Sequence, residues 1–393
     1  MKCVRWFASF LIAWTWLVAL LPVVQPVQAS AADGWWDDAW PYRIPVTATG
    51  SGVVEVTIDF GATFDVLGLD GALLDVRSLR VVPTNGTLPG ASIPYTETYS
   101  TMLEDADNPQ TEWSATDVYW RVNDGTAQAD ATRFTQGSGS LKAVVENWFE
   151  GYGYPGVELL IPSGDPRADW SAYETFIYDV WPEVNVSALD QAPDLYWYKL
   201  YNACDGGAIT QGGPPLALDR WNYASVSLDP LHTCDTPTLD AITRMEFHTR
   251  DNETVNGNSG LWDDGDQLTL WFDNLRLVDQ DSGTIRWQAD GSTSTYYVYF
   301  DTLAHEGHPQ PALDDLGAAT VTGTPGTPEA GGYFHQVDGA STGALDVWAA
   351  PPVEKIGRTH AVPTASAPLR IQAARDEFEP FQLVVRSPTA QSL

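Results

Sequence analysis

The sequence predicts an all-β protein: two antiparallel β-sandwich or jelly-roll domains, one inserted in the other, plus an incomplete C-terminal β segment. Three observations carry this. Short segments alternate apolar and polar residues with period two along most of the chain. Gly, Pro, Asn and Asp separate them at close intervals. No stretch keeps a helical apolar stripe for three turns; the best helix candidate, GATFDVLGLDGALL (61–74), carries internal glycines that argue against it.

The chain opens with Lys2 and Arg5, a nearly uncharged apolar run and then small residues, which is the layout of a signal peptide over residues 1–32. Cleavage near Ala29–Ala32 is expected, with an uncleaved N-terminal anchor as the alternative. No later stretch approaches the roughly 18 apolar residues of a membrane helix. YRIPVTAT and VVEVTIDF, joined through Gly-Ser-Gly, read as a hairpin. The strong strand YYVYF comes much later, too isolated to build a domain of its own. The economical division places residues 35–111 and 283–312 in one split sandwich and residues 112–282 in an inserted jelly roll. A serial arrangement is the alternative. The insert holds SAYETFIYDVWP, DLYWYKLY, RWNYASVSL, AITRMEFHTR and QLTLWFDNLRLVD, all short, aromatic and β-branched. Residues 313–362, rich in Gly, Pro and Thr, read as a linker with a short strand at ALDVWAA. Residues 363–393 read as the opening strands of a further sandwich, poorly packed or extended along a neighbour.

Composition narrows the function. Fifty-two acidic residues face 20 Lys plus Arg, a net charge of −32, which disfavours nucleic acid and anionic membranes. It suits a soluble, monomeric exported protein. Outside the leader the chain keeps two cysteines, Cys204 and Cys234, and an exported chain makes a disulfide between them the natural pairing. Catalytic pairs do not stand out: Asp37/Asp38 and Asp263/Asp264 are sequence neighbours whose side chains face opposite ways on a strand. HEGH (305–308) lacks the spacing of a zinc motif and reads as a loop.

Seventeen Trp and sixteen Tyr point instead to aromatic platforms for sugar rings. Candidate ligand contacts are Trp181, Tyr196, Trp197, Tyr198, Trp221 and Trp262, with Asp179 and Arg220 as polar partners. The alternative places these aromatics in the core. Along DLYWYKLY, Tyr196 and Tyr198 point one way and Trp197 and Lys199 the other, and one of these two sets is expected to line a groove. Period two puts Asp273 on a face with Trp271 and Leu275. A carboxylate among apolar neighbours needs a partner, either calcium or hydrogen-bond donors. Glu112, Asp117 and Asp130 are the candidate co-ligands, on the expectation that first and last strands pair.

Family resemblances bear on these residues. GSGSLKAVV (137–145), RWNYASVSL (220–228) and LTLWFDNLRLV (268–278) resemble strands of the carbohydrate-binding jelly rolls of secreted glycoside hydrolases. That resemblance implies glycan binding and a structural calcium on Asp273. WPYRIPVTA and YYVYFD resemble paired segments of a sandwich module in exported bacterial proteins, and imply no chemistry. PLRIQAARDEFEPFQLVV, through Arg375, Glu377, Glu379 and Gln382, resembles the start of the sandwich that precedes the catalytic barrel in relatives of bacterial glycosphingolipid-type N-acetylgalactosaminidases. It implies a chain truncated before that barrel, with structural rather than catalytic glutamates. The expectation is therefore a secreted or cell-surface, noncatalytic carbohydrate-binding protein, stabilised by calcium. A structural or adhesive protein, or a glycoside hydrolase in its own right, is the alternative.

Overall fold

The computed structural model describes residues 35–37, 39–84, 89–107, 113–117, 125–146, 155–185, 195–204, 207–211, 216–228, 238–249, 267–304, 308–311, 313–330, 335–337, 339, 345–350, 366–367 and 382–387. Among them no helix is long and apolar enough to cross a membrane. The segment expected to be a signal peptide, residues 1–32, lies outside the described residues.

The chain runs through β1 (Tyr42–Thr47), β2 (Ser51–Ile58), α1 (Phe60–Leu67), a 3-10 turn (Val76–Ser78), β3 (Arg80–Thr84) and β4 (Tyr95–Glu97). Asp59 caps α1 by accepting the Ala62 N–H, and Gly68 ends it at φ 74°. The helix therefore stops before the glycines that argue against a longer one, and it buries Phe60, Phe64 and Leu67 at helical spacing. There follow β5 (Ser100–Glu104), β6 (Trp113–Asp117), β7 (Gly125–Asp130), β8 (Ser140–Glu146), β9 (Pro155–Leu160), β10 (Thr175–Asn185), β11 (Leu195–Cys204) and β12 (Gly207–Gln211). The next strands are β13 (Asn222–Ser227), β14 (Arg244–Thr249), β15 (Gln267–Val278), β16 (Gly283–Asp290) and β17 (Thr295–Phe300). Short strands complete the chain: β18 (Val321–Thr322), β19 (Thr324–Pro325), β20 (Glu329–Ala330), β21 (His335–Val337), β22 (Asp346–Ala350), β23 (Ser366–Ala367) and β24 (Gln382–Arg386).

The first sandwich joins the two distant parts of the sequence. β1 pairs antiparallel with β17 in the register Tyr42↔Phe300, and β2 pairs with β16 in the register Gly283↔Ile58. Alternate residues from both sheets, among them Ile44, Val46, Val54, Val56, Ile285, Trp287 and Val298, fill one core. At the crossing into the insert, the Tyr99 hydroxyl donates to Ile58 O at 2.7 Å. Gly283 lies against that ring so closely that a Cβ there would fall 2.3 Å from Tyr99 Cδ1. The expected linker is partly structured: β18 pairs with β2, and β19 and β20 pair with β1. Backbone groups of β1 and β2 that would otherwise face solvent recruit these edges despite their Gly, Pro and Thr content.

The second unit stacks two sheets, in the orders β13-β10-β15-β8-β7 and β12-β11-β14-β9-β6. Phe176, Tyr178, Phe247 and Phe272 lie at its centre, with Phe247 stacked 4.7 Å from Phe272. β5 adds to β15, so residues 100–104 belong to this sheet and not to the outer sandwich. β6, where Asp117 lies, is at the edge of the other sheet and pairs with β9, so it does not bring Asp117 beside β15. The two cores meet within β10 and β15: Phe176, Tyr178 and Leu277 face the jelly-roll core, while Ile177 and Val278 enter the core of the outer sandwich.

The C-terminal strands form a small sheet, β23-β21-β22-β24. Trp348 and Ala350 are buried in the outer core, and Val384 packs against it. Leu383 and Val385 of the same strand are exposed. β24 is thus extended along β22, packed on one side only. Arg375, Glu377 and Glu379 lie outside the described residues.

Candidate functional site

The outward face of the first jelly-roll sheet begins where the outer sandwich covers it. Asp179 on β10 and Asp273 on β15 sit directly opposite each other, both fully buried. Period two fails just beyond, because Asn274 adopts φ 53° and the register shifts between Ile177 and Asp179. Leu275 consequently joins the core and does not share the face of Asp273.

The partners of Asp273 are donors. Its Oδ2 accepts the N–H groups of Thr135 at 2.5 Å and Gln136 at 2.9 Å and the Thr135 hydroxyl at 2.9 Å, while Oδ1 accepts the Asn274 N–H at 2.7 Å. Burial pushes its carboxyl up to about 6, partly offset by those N–H groups. A calcium ion needs converging oxygens, and N–H groups aimed at the same carboxylate are the opposite. The residues around Asp273 therefore do not fit calcium. Among the described residues no cluster of three or more His, Cys, Asp and Glu could hold a metal ion. Asp130 turns to Thr132 N at 2.7 Å and lies 4.0 Å from Lys142. Glu112 and the Asp117 side chain lie outside the described residues.

Asp179 is not a surface partner for ligand. Its Oδ2 meets the Thr135 hydroxyl at 2.6 Å and Asn274 Nδ2 at 3.3 Å, and Arg77 reaches Oδ1 at 3.4 Å. Burial raises its pKa against the pull of Arg77. Arg77 comes from the outer sandwich, only 2 % exposed, with Asp75 nearer at 3.0 Å and the carbonyls of Ala224 and Tyr223 at 3.3 Å.

One row outward, Trp181 and Trp271 are cross-strand neighbours. Arg133 lies between them, its guanidinium carbon 4.4 Å from the Trp181 ring and 4.1 Å from the Trp271 ring. Trp221 meets Trp181 edge-on at 5.9 Å, and Arg220 is exposed in the preceding turn.

The outward face of the second sheet is different in character. Lys199 and Tyr201 on β11 lie beside Glu246 and Arg244 on β14, and Glu158 on β9 completes the rows. The Arg244 guanidinium lies 3.6 Å from the Tyr201 ring and bridges Glu246 at 3.0 Å and Glu158 at 3.3 Å. The Tyr201 hydroxyl donates to Glu246 at 3.1 Å, and Lys199 approaches the same ring at 4.6 Å. Glu246 is the buried floor of this group; exposed Leu160 stands at its margin. Held in place by one another, these side chains offer fixed carboxylate acceptors and cationic donors to hydroxyl groups.

Of the ligand contacts expected from sequence, Tyr198 is in the core at 1 % exposure, the reverse of a ligand-facing position, because its neighbour Lys199 takes the outward face. Trp181 and Trp221 are half-buried on the first sheet. Tyr196, Trp197 and Trp262 fall outside the described side chains. Cys204 packs against the jelly-roll core, and Cys234 lies outside the described residues. Sequence reasoning places Lys199 with Trp197 on one of two faces that could line a groove, and passes over Tyr201, Arg244, Glu246 and Glu158 as site residues. The signal was present in RMEFHT, where Arg244 and Glu246 alternate with the core residues Met245 and Phe247.

No protein-family model matches the chain, and no curated protein matches it. Among solved structures, an exo-β-agarase overlaps with 12% identity and a TM-score of 0.31, over 46% of this chain and 25% of the agarase. A carbohydrate-binding module of the β-sandwich superfamily overlaps with 15% identity and a TM-score of 0.30, over 51% of this chain and 72% of the module. The C-terminal family 22 carbohydrate-binding module of Clostridium thermocellum Xyn10B gives 12% identity and a TM-score of 0.27, over 47% of this chain and 94% of the module. The chain spans a quarter of the agarase's length. Overlaps this loose assign neither a family nor a ligand.

Proposed function

We propose that the protein is an exported carbohydrate-binding protein whose jelly roll takes an extended glycan across the open face of its second sheet. The carrying observation is the asymmetry of the two faces. The outer sandwich and residues 133–136 cover the first sheet around Asp179 and Asp273. The second sheet instead presents Lys199, Tyr201, Glu158, Arg244 and Glu246 as one charge-compensated polar group. Over the buried Glu246, a sugar hydroxyl can donate to Glu158 and accept from Lys199 or Arg244, which suits a polyhydroxylated ligand. The leader supports export, and export supports a Cys204–Cys234 disulfide. The disulfide is checked by an intact mass two hydrogens below that of the reduced chain.

Binding is tested by retention of the full chain on a panel of insoluble polysaccharides and by titration with the oligosaccharide of the one retained. The combined substitution Lys199→Ala and Tyr201→Ala is expected to weaken binding about tenfold to a hundredfold, the loss of one to two good polar contacts. EDTA is expected to leave both binding and melting temperature unchanged, since donors already satisfy Asp273. No retention on any member of the panel, or equal affinity of the double variant, would refute this function. Loss of binding on chelation would restore calcium to the description.

A further inference from the structure

The row of side chains on the outward face of the first sheet has no part in the function proposed above. In a chain with 20 basic residues against 52 acidic ones, two cations gather over one indole. Arg133 stands 4.1 Å and Lys142 5.1 Å from the Trp271 ring. Trp181 closes the other side of Arg133, and Trp221 extends the aromatic row toward the sheet edge. Stacking on two rings fixes the plane of the guanidinium, so its donors are aimed before any ligand arrives.

Those donors are incompletely used. Arg133 Nη1 lies 2.6 Å from Glu183 Oε1 in an ion pair, yet among the described residues this buried nitrogen has no partner in hydrogen-bond geometry. Glu183 itself is 39% exposed at its side chain, and pairs of that exposure contribute little. A misaligned, half-exposed carboxylate is readily exchanged for one that arrives with better geometry. Lys142 stands 4.0 Å from Asp130, at the limit of ion pairing, and supplies a second positive charge on the same ring.

We propose that this row is a second glycan subsite, selective for uronic-acid residues. The ligand carboxylate replaces Glu183 on Arg133, in the two-pronged geometry that guanidinium and carboxylate share. The apolar face of the same pyranose stacks on Trp221. The charge complement comes from Arg133 and Lys142 together. No covalent step is involved.

The test is affinity electrophoresis of the full chain in gels containing polygalacturonate or its fully methyl-esterified form. Retardation is expected by the acid and not by the ester, and it should weaken with added salt. Arg133→Lys keeps the charge and removes the fork, and is expected to lower affinity for polygalacturonate about tenfold. Glu183→Gln removes the competing carboxylate and is expected to raise it about threefold. Both variants should leave any neutral-glycan binding unchanged, while Lys199→Ala should leave polygalacturonate binding unchanged, so the two faces are separable. Equal retardation by acid and ester overturns the proposal. Equally, if Arg133→Lys and Glu183→Gln change the melting temperature but not the affinity, the row only fastens its own loop to the sheet.

Discussion

Replacing Arg77 with methionine is expected to cost about 3–5 kcal/mol of stability, the magnitude seen when one partner of a buried charge network is removed. The substitution is near in length and cannot donate. It would leave Asp75, at 1 % exposure, and Asp179, at 0 %, buried without their shared cation. Burial alone would lower the pKa of Arg77, and the fields of Asp75 and then Asp179 outweigh it, so the guanidinium stays charged in the interior. It also withdraws donors from the carbonyls of Ala224 and Tyr223, which edge strand β13 presents to it. Because Arg77 belongs to the outer sandwich and Asp179 to the jelly roll, unfolding should also separate into two transitions. Denaturant titration monitored by tryptophan fluorescence reads both effects. Asp179→Asn in the same background should cost less than it does alone, since the two side chains act as a pair. A loss below about 1 kcal/mol for Arg77→Met, or simple additivity of the two substitutions, would show that the contact does not hold the units together.

The second large effect concerns pH. The Asp273 carboxyl is raised from 3.8 to about 6 by burial. A carboxyl whose pKa is higher folded than unfolded favours the folded state while it is protonated. That contribution is complete below about 3.8 and is lost as pH rises through about 6. The shift corresponds to roughly 3 kcal/mol. Asp179 and Glu97 are raised as well, both first by burial, and they act in the same sense. Asp165 and Asp290, lowered by hydrogen bonds from Arg167 and Ser292, oppose it at the acid end. The total profile therefore mixes signs, and the informative quantity is a difference. Stability of the native chain minus that of Asp273→Asn should fall between about pH 4 and pH 6 and then level off. Parallel profiles for the two proteins would mean that Asp273 does not hold a proton in that window.

The strand content was legible because most segments have one wet and one dry face. In Gly283–Asp290 the burial alternates without a break, as the residues GTIRWQAD suggest. Legibility failed where a distant part of the chain sets the local conformation. Asn274 is a residue type that tolerates the left-handed region, but strand alternation in LWFDNLRL gives no reason to expect it there, or Leu275 to be redirected. The fate of Asp179 depended on an arginine 102 residues earlier, in a segment that folds as a 3-10 turn. Gly and Pro in residues 313–330 suggested slack chain, but open sheet edges offered partners that composition cannot reveal. Among candidate site residues, weighing aromatics above charges drew attention to Tyr198, a core residue. Alternation alone leaves Lys199, its neighbour on the opposite face, as one of two alternatives.

The way β10 and β15 serve two cores has a consequence for inheritance. Ile177 and Val278 complete the interior of the outer sandwich, and Asp179 neutralises an arginine that the sandwich buries. Excising the jelly roll would therefore leave its host with a gap in its interior and Arg77 without the acceptors that Asp179, Tyr223 and Ala224 supply. A foreign insert could take the same place only if it brought two apolar side chains and an acid in the same positions. Recombination that shuffles freely tethered modules between genes would find this one hard to transplant. Host and insert would then descend together, their contact residues changing in concert while the open face of the second sheet drifts independently.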